Sequence, residues 1–318
     1  MEPAELIRKE CALMGSPFTI RAYASPHIPL RLIHQWIELA FGEIARIEDL
    51  LTDFRPSPLN EINRMAGIRP VKVCREIFDL LELCLQISRD SDGAFDISYA
   101  SVGLVWREAM KTGVPPAREE IDRAKQFVDF RKIGMNPETR EVFLPHQEMK
   151  IGLGGIGKGY AVDRAFHLLK GLGVENFAVN GAGDIRVHSS PLAPRPWRIG
   201  IRNPFAERDA AMGGLLLQNG AVATSGDYER FFRHRGKSYH HVLDGRTGEI
   251  TRGISSVTIM AASTVTADVC ATTAMALGPD EGLKFLENKR GLSGFLVTAD
   301  GSVIRTENLP KAEAGQWS

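Results

Sequence analysis

The chain is predicted to adopt an α+β fold in which helices flank mixed or antiparallel sheets. Helical spacing of apolar residues dominates the first third of the 318 residues, whereas short apolar or alternating segments dominate the second half. Strands and helices do not alternate regularly, which disfavours a parallel sheet built from βαβ units. No repeat with a period of about 20 to 50 residues is present. Because no long Pro-, Gly- or Ser-rich linker divides the chain, we expect residues 1–318 to form one domain.

The helices are predicted from apolar residues that recur every three or four positions. Residues 29–54 show the longest such pattern, and residues 74–89 show a second one that ends at a Gly-containing stop signal. The shorter predicted helices are residues 61–66, 118–125, 161–169, 267–277 and 280–288.

The strands are predicted from apolar or alternating runs bounded by turn residues. Residues 14–24 are expected to form a turn and then a strand, and residues 176–187 to form two strands joined by a glycine turn. The other predicted strands are residues 141–144, 148–151, 197–201, 214–224, 239–243, 256–261 and 294–298.

The balance of charge argues against several classes of partner. Lys and Arg together number 39, as do Asp and Glu, so no basic excess favours nucleic acid. No segment is apolar enough to be a transmembrane segment. Residues 1–15 carry several charges and no uninterrupted apolar run, so they do not read as a signal peptide. As written, the chain is expected to be cytoplasmic, or periplasmic if a leader was removed.

The Gly-rich segment at residues 152–159 is the most prominent local feature. It contains five glycines and Lys158, and it leads into the helix predicted at 161–169. Bare backbone at a helix N-terminus can approach an anion, and a lysine beside it adds positive charge. Taken alone, the string fits a loop before an ordinary helix better than an anion site, because Gly-rich strings are weak motifs. Lys158 is followed by Gly rather than Ser or Thr, so the segment is not a Walker motif.

Two further clusters follow predicted strands. Residues 180–184 lie between two strands and fit either a tight hairpin turn or a backbone concavity beside a ligand. Residues 223–228 place small hydroxyl residues and a glycine after an apolar strand. Such a strand end can hold a small ligand, although a solvated turn has the same pattern.

The last two clusters contain groups that could carry chemistry. His241, with Asp244 three residues later in a Gly-containing turn, is a plausible proton acceptor, although a surface hairpin explains the same pattern. Asp268 and Thr272 lie four residues apart on a predicted helix, so their oxygens share one face. They form part of a site that Mg²⁺ could accept, unless Asp268 simply caps the start of the helix.

Taken together and in this order, the five clusters resemble the FAD:protein FMN transferase family, the ApbE-type flavin transferases. Any one of these motifs would be weak, whereas the ordered set is specific and covers roughly residues 14–300. The matching segments are residues 14–15, 91–96, 153–164, 182–185, 223–228, 241–248, 256–259 and 267–272.

The resemblance implies an α+β flavin transferase that splits FAD. The FMN half would be attached through its phosphate to a Ser or Thr hydroxyl of an acceptor protein, and AMP would leave. By the same resemblance, Mg²⁺ would be held by Asp268, Thr272 and the backbone carbonyl of Gly155. His241 or Asp244 would accept the hydroxyl proton. The residues that would contact FAD are Met14, Phe54, Ala94, Phe95, Asp96 and Lys158.

Two alternative functions use the same motifs. Hydrolysis of FAD to FMN and AMP would need the same metal and pyrophosphate contacts, with water as the nucleophile. A non-catalytic FAD-binding assembly protein would bind FAD and release no AMP.

Some positions depart from the family pattern. Gly152 stands where the family usually has Asp, so a carboxylate that would contact FAD is absent there. Residues 97–98 replace the usual Pro-Thr, and Ser98 keeps a hydroxyl. Gly245 replaces a Pro, and we expect this change to loosen the loop, because Pro would restrict it.

Overall fold

The computed structural model describes residues 5–207 and 210–309. In chain order its strands are β1 (Leu6–Leu13), β2 (Ser16–Tyr23), β3 (Val71–Lys72), β4 (Gly134–Asn136), β5 (Glu141–Phe143), β6 (Asn176–Gly181), β7 (Asp184–Ser189), β8 (Trp197–Arg202), β9 (Ala211–Leu217), β10 (Gly220–Gly226), β11 (Phe231–His234), β12 (Lys237–His240), β13 (Ile254–Ala261), β14 (Ser293–Thr298) and β15 (Val303–Arg305).

The α-helices within the described residues are α1 (Leu30–Leu51), α2 (Pro58–Arg64), α3 (Arg75–Asp90), α4 (Ala100–Thr112), α5 (Arg118–Lys125), α6 (Gly157–Gly171), α7 (Thr264–Leu277) and α8 (Pro279–Glu287). Two short 3₁₀ helices lie at Ile97–Tyr99 and Phe130–Lys132. Over the residues that the structure describes, no helix has the length and apolar character needed to cross a membrane.

Eight strands form one sheet in the order β1-β2-β6-β7-β10-β13-β14-β15. Every neighbouring pair in this sheet is antiparallel. Smaller sheets are formed by β3-β5-β4, β8-β9 and β11-β12. Since helices pack against antiparallel sheets, the predicted α+β class is confirmed.

The main core lies between helices α1, α6 and α7 and one face of the eight-stranded sheet. The apolar stripe of α1 is buried there, as its helical spacing predicts. Side chains alternate along a strand, so Phe177 and Val179 of β6 lie in this core. Ala178 instead joins a second apolar cluster with Trp197 of β8. The β8-β9 ribbon therefore covers the opposite face of the sheet.

The strand predicted at residues 148–151 is wrong. The backbone N–H of Ile151 donates to Oδ1 of Asn63 at 2.7 Å, and its carbonyl accepts from Nδ2 of Asn63 at 2.9 Å. The N–H of Lys150 donates to the Ser101 hydroxyl at 2.9 Å. Side chains, rather than a neighbouring strand, provide these backbone hydrogen bonds.

The single strand predicted at residues 214–224 is two strands that belong to different sheets. Strand β9 pairs with β8, whereas β10 lies between β7 and β13 in the main sheet. The chain turns between them at Gly220, whose φ is +127°. Asn219 ties this turn to Ser189, because its side chain bonds both the N–H and the carbonyl of that residue at 3.3 Å.

Strand β1 is one of several elements that the sequence pattern does not predict; the others include α4 and the short strands β3, β4, β11 and β15. Among the described strands β1 lies at the edge of the sheet and pairs with β2 alone, and charged residues interrupt its apolar alternation. Charges on an edge strand discourage pairing with other chains, and they also weaken the strand signal.

Candidate functional site

The Gly-rich segment runs directly into α6, so that Lys158 lies in the first helical turn. Close approach explains two of its glycines. A Cβ added at Gly155 would lie 2.9 Å from Cγ2 of Thr272, and one added at Gly159 would lie 2.7 Å from Cβ of Asp268. The missing side chains therefore allow this segment to pack directly against α7.

Two interactions cap the N-terminus of α7. The Ser263 hydroxyl accepts a backbone N–H of the first turn at 3.4 Å. The buried Asp163 of α6 accepts the N–H groups of Thr264 and Val265, both at 2.9 Å. The alternative that Asp268 caps this helix is wrong, because Asp268 lies inside the helix and only 3% of it is exposed.

Asp268, Thr272 and Gly155 form an oxygen-rich corner. Oδ2 of Asp268 accepts the Gly159 N–H at 2.9 Å, and the Thr272 hydroxyl lies 3.1 Å from that of Ser225. In the described ranges, no group of three or more His, Cys, Asp or Glu side chains could hold a metal ion. A cation here would need hydroxyl and carbonyl oxygens in addition to the carboxylate. A carboxylate supplemented by hydroxyl and carbonyl oxygens is a donor set that fits Mg²⁺.

Lys158 is ion-paired with Asp184, a buried carboxylate at the start of β7. Burial and the negative charge of Asp268 raise the pKa of Asp184, and the Lys158 ammonium opposes that rise. Burial lowers the pKa of Lys158, but Asp184 and Asp268 outweigh it and raise the pKa above its usual value. Lys158 is therefore a fixed positive charge beside the oxygen-rich corner.

His240 and His241 have opposite surroundings. His240 is buried, and its Nε2 lies 2.8 Å from the Thr251 carbonyl. His241 keeps an exposed surface, yet the protein around its ring desolvates it and lowers its pKa to about 4. The nearby charges of His240, Arg230 and Lys158 add to this lowering. His241 is thus an unprotonated imidazole near neutral pH.

The Asp244 carboxylate is hydrogen-bonded to the side chain of Arg246. It accepts the backbone N–H of Arg246 at 2.8 Å and three guanidinium bonds, two from Nε at 3.0 and 3.2 Å and one from Nη2 at 2.9 Å. Arg246 also donates to Glu281 at 2.8 Å. Both oxygens of this carboxylate already accept hydrogen bonds from Arg246, so the geometry favours His241 over Asp244 as a base.

Two of the predicted FAD-contacting residues lie against the Gly-rich segment. Phe95 has Cε2 3.3 Å from the position of a Cβ at Gly155, and Met14 has Cε 3.5 Å from one at Gly157. Met14 adopts a φ of +51° in the turn between β1 and β2, and its N–H donates to Glu48 at 2.8 Å. A methionine in this left-handed conformation stores backbone strain, which is found most often at functional sites.

Asp96 uses its side chain within the protein. Oδ1 accepts the N–H and hydroxyl of Ser98 at 2.7 and 2.6 Å, and Oδ2 accepts the Phe130 N–H at 2.8 Å. Burial raises the pKa of Asp96, and these bonds counteract the rise. Its carboxylate therefore orders the loop that carries Ala94 and Phe95.

The expectation that Gly245 loosens its loop is wrong. Gly245 is buried, and its N–H donates to the Ala94 carbonyl at 2.9 Å. A Cβ at this position would lie 2.4 Å from the Gly93 carbonyl oxygen. The glycine fastens residues 241–248 to the Phe95 loop, and a proline could neither fit nor donate this bond.

We expect Gly245→Pro to destabilise the protein by more than about 2 kcal/mol, because it leaves a buried carbonyl without its donor and adds a clash. Thermal and urea unfolding measure this change. Gly245→Ala should destabilise less, since it keeps the N–H, and Gly42→Ala is a control, because a Cβ there meets nothing within 4 Å. A proline variant as stable as the wild type would contradict this packing.

Phe54 lies in a different environment from the other predicted residues. Its ring is 74% exposed and lines a cavity of about 530 Å³ that none of the other predicted site residues lines. The structure thus brings Gly155, Lys158, Asp268 and Thr272 together with Phe95 and Met14. Phe54 lies apart from this group, on the wall of the cavity.

Three residues of this site were not among the predicted ones. Asp184 holds Lys158, Ser225 contacts Thr272, and Asp163 caps α7. Asp184 and Ser225 lie within the clusters at 180–184 and 223–228, so a signal for them existed. The role of Asp163 depends on a contact between residues about 100 positions apart, which no local pattern indicates.

Comparison with known proteins identifies the family. The model of the ApbE family matches residues 14–296. A FAD:protein FMN transferase of Klebsiella pneumoniae (strain 342) is 30% identical over 294 residues, covering 92% of this chain and 89% of that protein. One of Treponema pallidum (strain Nichols) is 28% identical over 308 residues, covering 92% and 84%.

Solved structures show the same fold. The ApbE protein of Thermotoga maritima matches with a TM-score of 0.85 at 29% identity, covering 95% of this chain and 97% of that chain. The apo flavinyl transferase ApbE of Pseudomonas stutzeri matches with a TM-score of 0.80 at 27% identity, covering 96% and 95%. Since the family model spans most of the sequence and the fold agrees over nearly its whole length, this chain belongs to the ApbE family.

Proposed function

We propose that this chain transfers the FMN half of FAD to a Ser or Thr hydroxyl of an acceptor protein, in a Mg²⁺-dependent reaction that releases AMP. The relatives from Klebsiella and Treponema carry the name FAD:protein FMN transferase and align with most of the chain. The observation that carries the proposal is the meeting of Asp268, Thr272 and Gly155 beside the charged Lys158.

Attack on a pyrophosphate depends mainly on positioning and on neutralising charge. Mg²⁺ held by Asp268, Thr272 and the Gly155 carbonyl would supply that neutralisation on the phosphate oxygens. The Gly159 N–H orients the Asp268 carboxylate before any ligand binds. Lys158, kept protonated by its acidic neighbours, would donate to the phosphates or the flavin.

The reaction forms a bond between the acceptor hydroxyl oxygen and the phosphorus on the flavin side. The bond from that phosphorus to the oxygen of the departing AMP breaks. The hydroxyl proton needs an acceptor, and we assign this role to His241, which is unprotonated and has no carboxylate partner among its described hydrogen bonds.

The proposal is tested with purified protein, FAD, MgCl₂ and a candidate acceptor protein. We expect AMP and FMN-labelled acceptor in equal amounts, measured by chromatography and mass spectrometry, and we expect EDTA to abolish both. AMP release that does not depend on the acceptor would indicate FAD hydrolysis. FAD binding without AMP release would indicate a flavin-binding assembly protein. Either result would contradict transfer.

We expect the rate of transfer to stay constant as the pH falls through 6.5, the ordinary pKa of His, and to decline only toward pH 4. The reason is that His241 with its lowered pKa remains an unprotonated base across this range. The measurement is the initial rate against pH for the wild type, His241→Gln and the exposed control His27→Gln. A wild-type rate loss centred near 6.5 would contradict the lowered pKa of His241, and a His241→Gln variant as fast as the wild type would remove His241 from this role.

A further inference from the structure

The cavity of about 530 Å³ that Phe54 lines borders the Gly-rich segment at Gly152. Its walls come from residues that follow α1, from α2 and from α4, and they include Asp53, Asn60 and Arg107. A cavity of this size is within the range of small-molecule sites. The large exposed ring of Phe54 offers it a flat apolar surface.

Asp53 occupies the space into which a side chain of residue 152 would extend. A Cβ added at Gly152 would lie 3.2 Å from Oδ2 of Asp53, 3.2 Å from Cβ of Ala100 and 3.5 Å from the hydroxyl of Tyr99. The family pattern has Asp at residue 152, and this chain does not. A carboxylate nevertheless lies beside this position, because Asp53 follows the end of α1.

Arg107 of α4 orients this carboxylate. Its Nη2 donates to Oδ2 of Asp53, and the Asp53 side chain is only 12% exposed. The guanidinium carbon of Arg107 lies 4.3 Å from the centroid of the Phe54 ring, close enough for a cation–π contact. The Asp–Arg pair and the ring therefore form one supported surface on the cavity wall.

The other carboxylate on the cavity wall has a different partner. Glu61 accepts two bonds of 2.7 Å from Arg64 of the same helix, and the Arg64 side chain is 69% exposed. No contact joins Glu61 to the Gly-rich segment among the described interactions. Asp53 is the carboxylate that lies against it.

We propose that Asp53, oriented by Arg107, supplies the FAD-binding carboxylate that the family pattern places at residue 152; this inference rests on the proposed function. Its carboxylate would accept hydrogen bonds from the hydroxyl or amino groups of FAD, and Phe54 would pack on one of the flat rings. The loss of the acid from the Gly-rich segment is thereby compensated from a segment about 100 residues earlier in the chain.

The test measures FAD affinity by isothermal titration calorimetry with Mg²⁺ and without an acceptor. Asp53→Asn keeps the shape of the side chain and removes its charge, and we expect it to raise the Kd for FAD about tenfold, equivalent to about 1.4 kcal/mol. Asp122→Asn is the matched control, because Asp122 also pairs with an arginine but lies on an exposed helix face. It should leave the Kd unchanged.

A relocation variant makes the test specific. Asp53→Ala should weaken FAD binding, and adding Gly152→Asp in the same protein should restore most of the affinity, because the carboxylate returns to the same space. Gly152 does not have a positive φ, so its backbone accepts Asp. Thermal unfolding of each variant checks that it is folded.

The outcomes separate this inference from the proposed function. Wild-type protein that fails to bind FAD would overturn both. Wild-type protein that binds FAD, with Asp53→Asn binding equally well, would overturn the role of Asp53 alone. A relocation variant that binds FAD no better than Asp53→Ala would also overturn it, because a carboxylate restored beside the Gly-rich segment would then contribute nothing to FAD binding.

Discussion

Asp268→Asn is expected to abolish most Mg²⁺-dependent FMN transfer while the protein stays folded. Asn retains an oxygen that can accept the Gly159 N–H, so the bond that joins α6 to α7 is kept. It lacks the negative charge that a hard cation requires. Removing one preorganised electrostatic group from an active site costs about 100- to 1,000-fold in rate, and we expect a loss in that range.

The measurement compares labelled acceptor and AMP for Asp268→Asn, for the wild type and for Asp280→Asn, an exposed acid on the next helix. Raising the Mg²⁺ concentration should restore part of the rate, because the Thr272 hydroxyl and the Gly155 carbonyl remain. If Asp268→Asn transfers FMN as fast as Asp280→Asn, the oxygen-rich corner is not the metal site.

Asp163→Ala is expected to cause the largest loss of stability among these variants. The Asp163 carboxylate accepts two N–H groups at the start of α7 and an ion pair from Arg186. Both side chains of that pair are largely buried, at 7% and 13% exposed. Removing one partner of a buried ion pair costs about 3 to 5 kcal/mol, because the other charge stays buried without compensation.

Urea unfolding of Asp163→Ala, Asp163→Asn and Asp122→Ala measures this effect. Asn can still accept one N–H, so its loss should be intermediate, and the exposed control should change by less than about 0.5 kcal/mol. Since α7 carries Asp268 and Thr272, the alanine variant should also bind Mg²⁺ less tightly while folded. Stability equal to that of Asp122→Ala would show that the cap does not hold α7 in place.

Much of the fold could be predicted because its helices are amphipathic. The helical spacing of the buried isoleucines that face the sheet is enough to predict α1. Helix α5 has the predicted bounds. Prediction failed where the partner of a backbone segment is not a regular strand. Residues 148–151 look like a strand, but the side chains of Asn63 and Ser101 provide the backbone hydrogen bonds of Ile151 and Lys150.

The sequence predicted which residues belong to the candidate site, but not which side chains bond to one another there. Ordered motifs pointed to Asp268, Thr272, Gly155 and Lys158, which the structure brings together. The same motifs could not indicate that the Arg246 guanidinium is hydrogen-bonded to the Asp244 carboxylate. That preference between the two candidate bases depends on a side-chain contact that Arg246, a residue of the same motif, makes in the folded chain.

Periodicity and ordered motifs are properties of the chain, so they were enough to predict the α+β class, the ApbE resemblance and the residue types available for binding an anion and a hard cation. The roles of the unusual glycines follow instead from tertiary contacts. Gly245 holds one loop to another through its N–H, and Gly152 faces a carboxylate that arrives from the end of α1. Both depend on groups that are distant in sequence, and folding alone sets their distances.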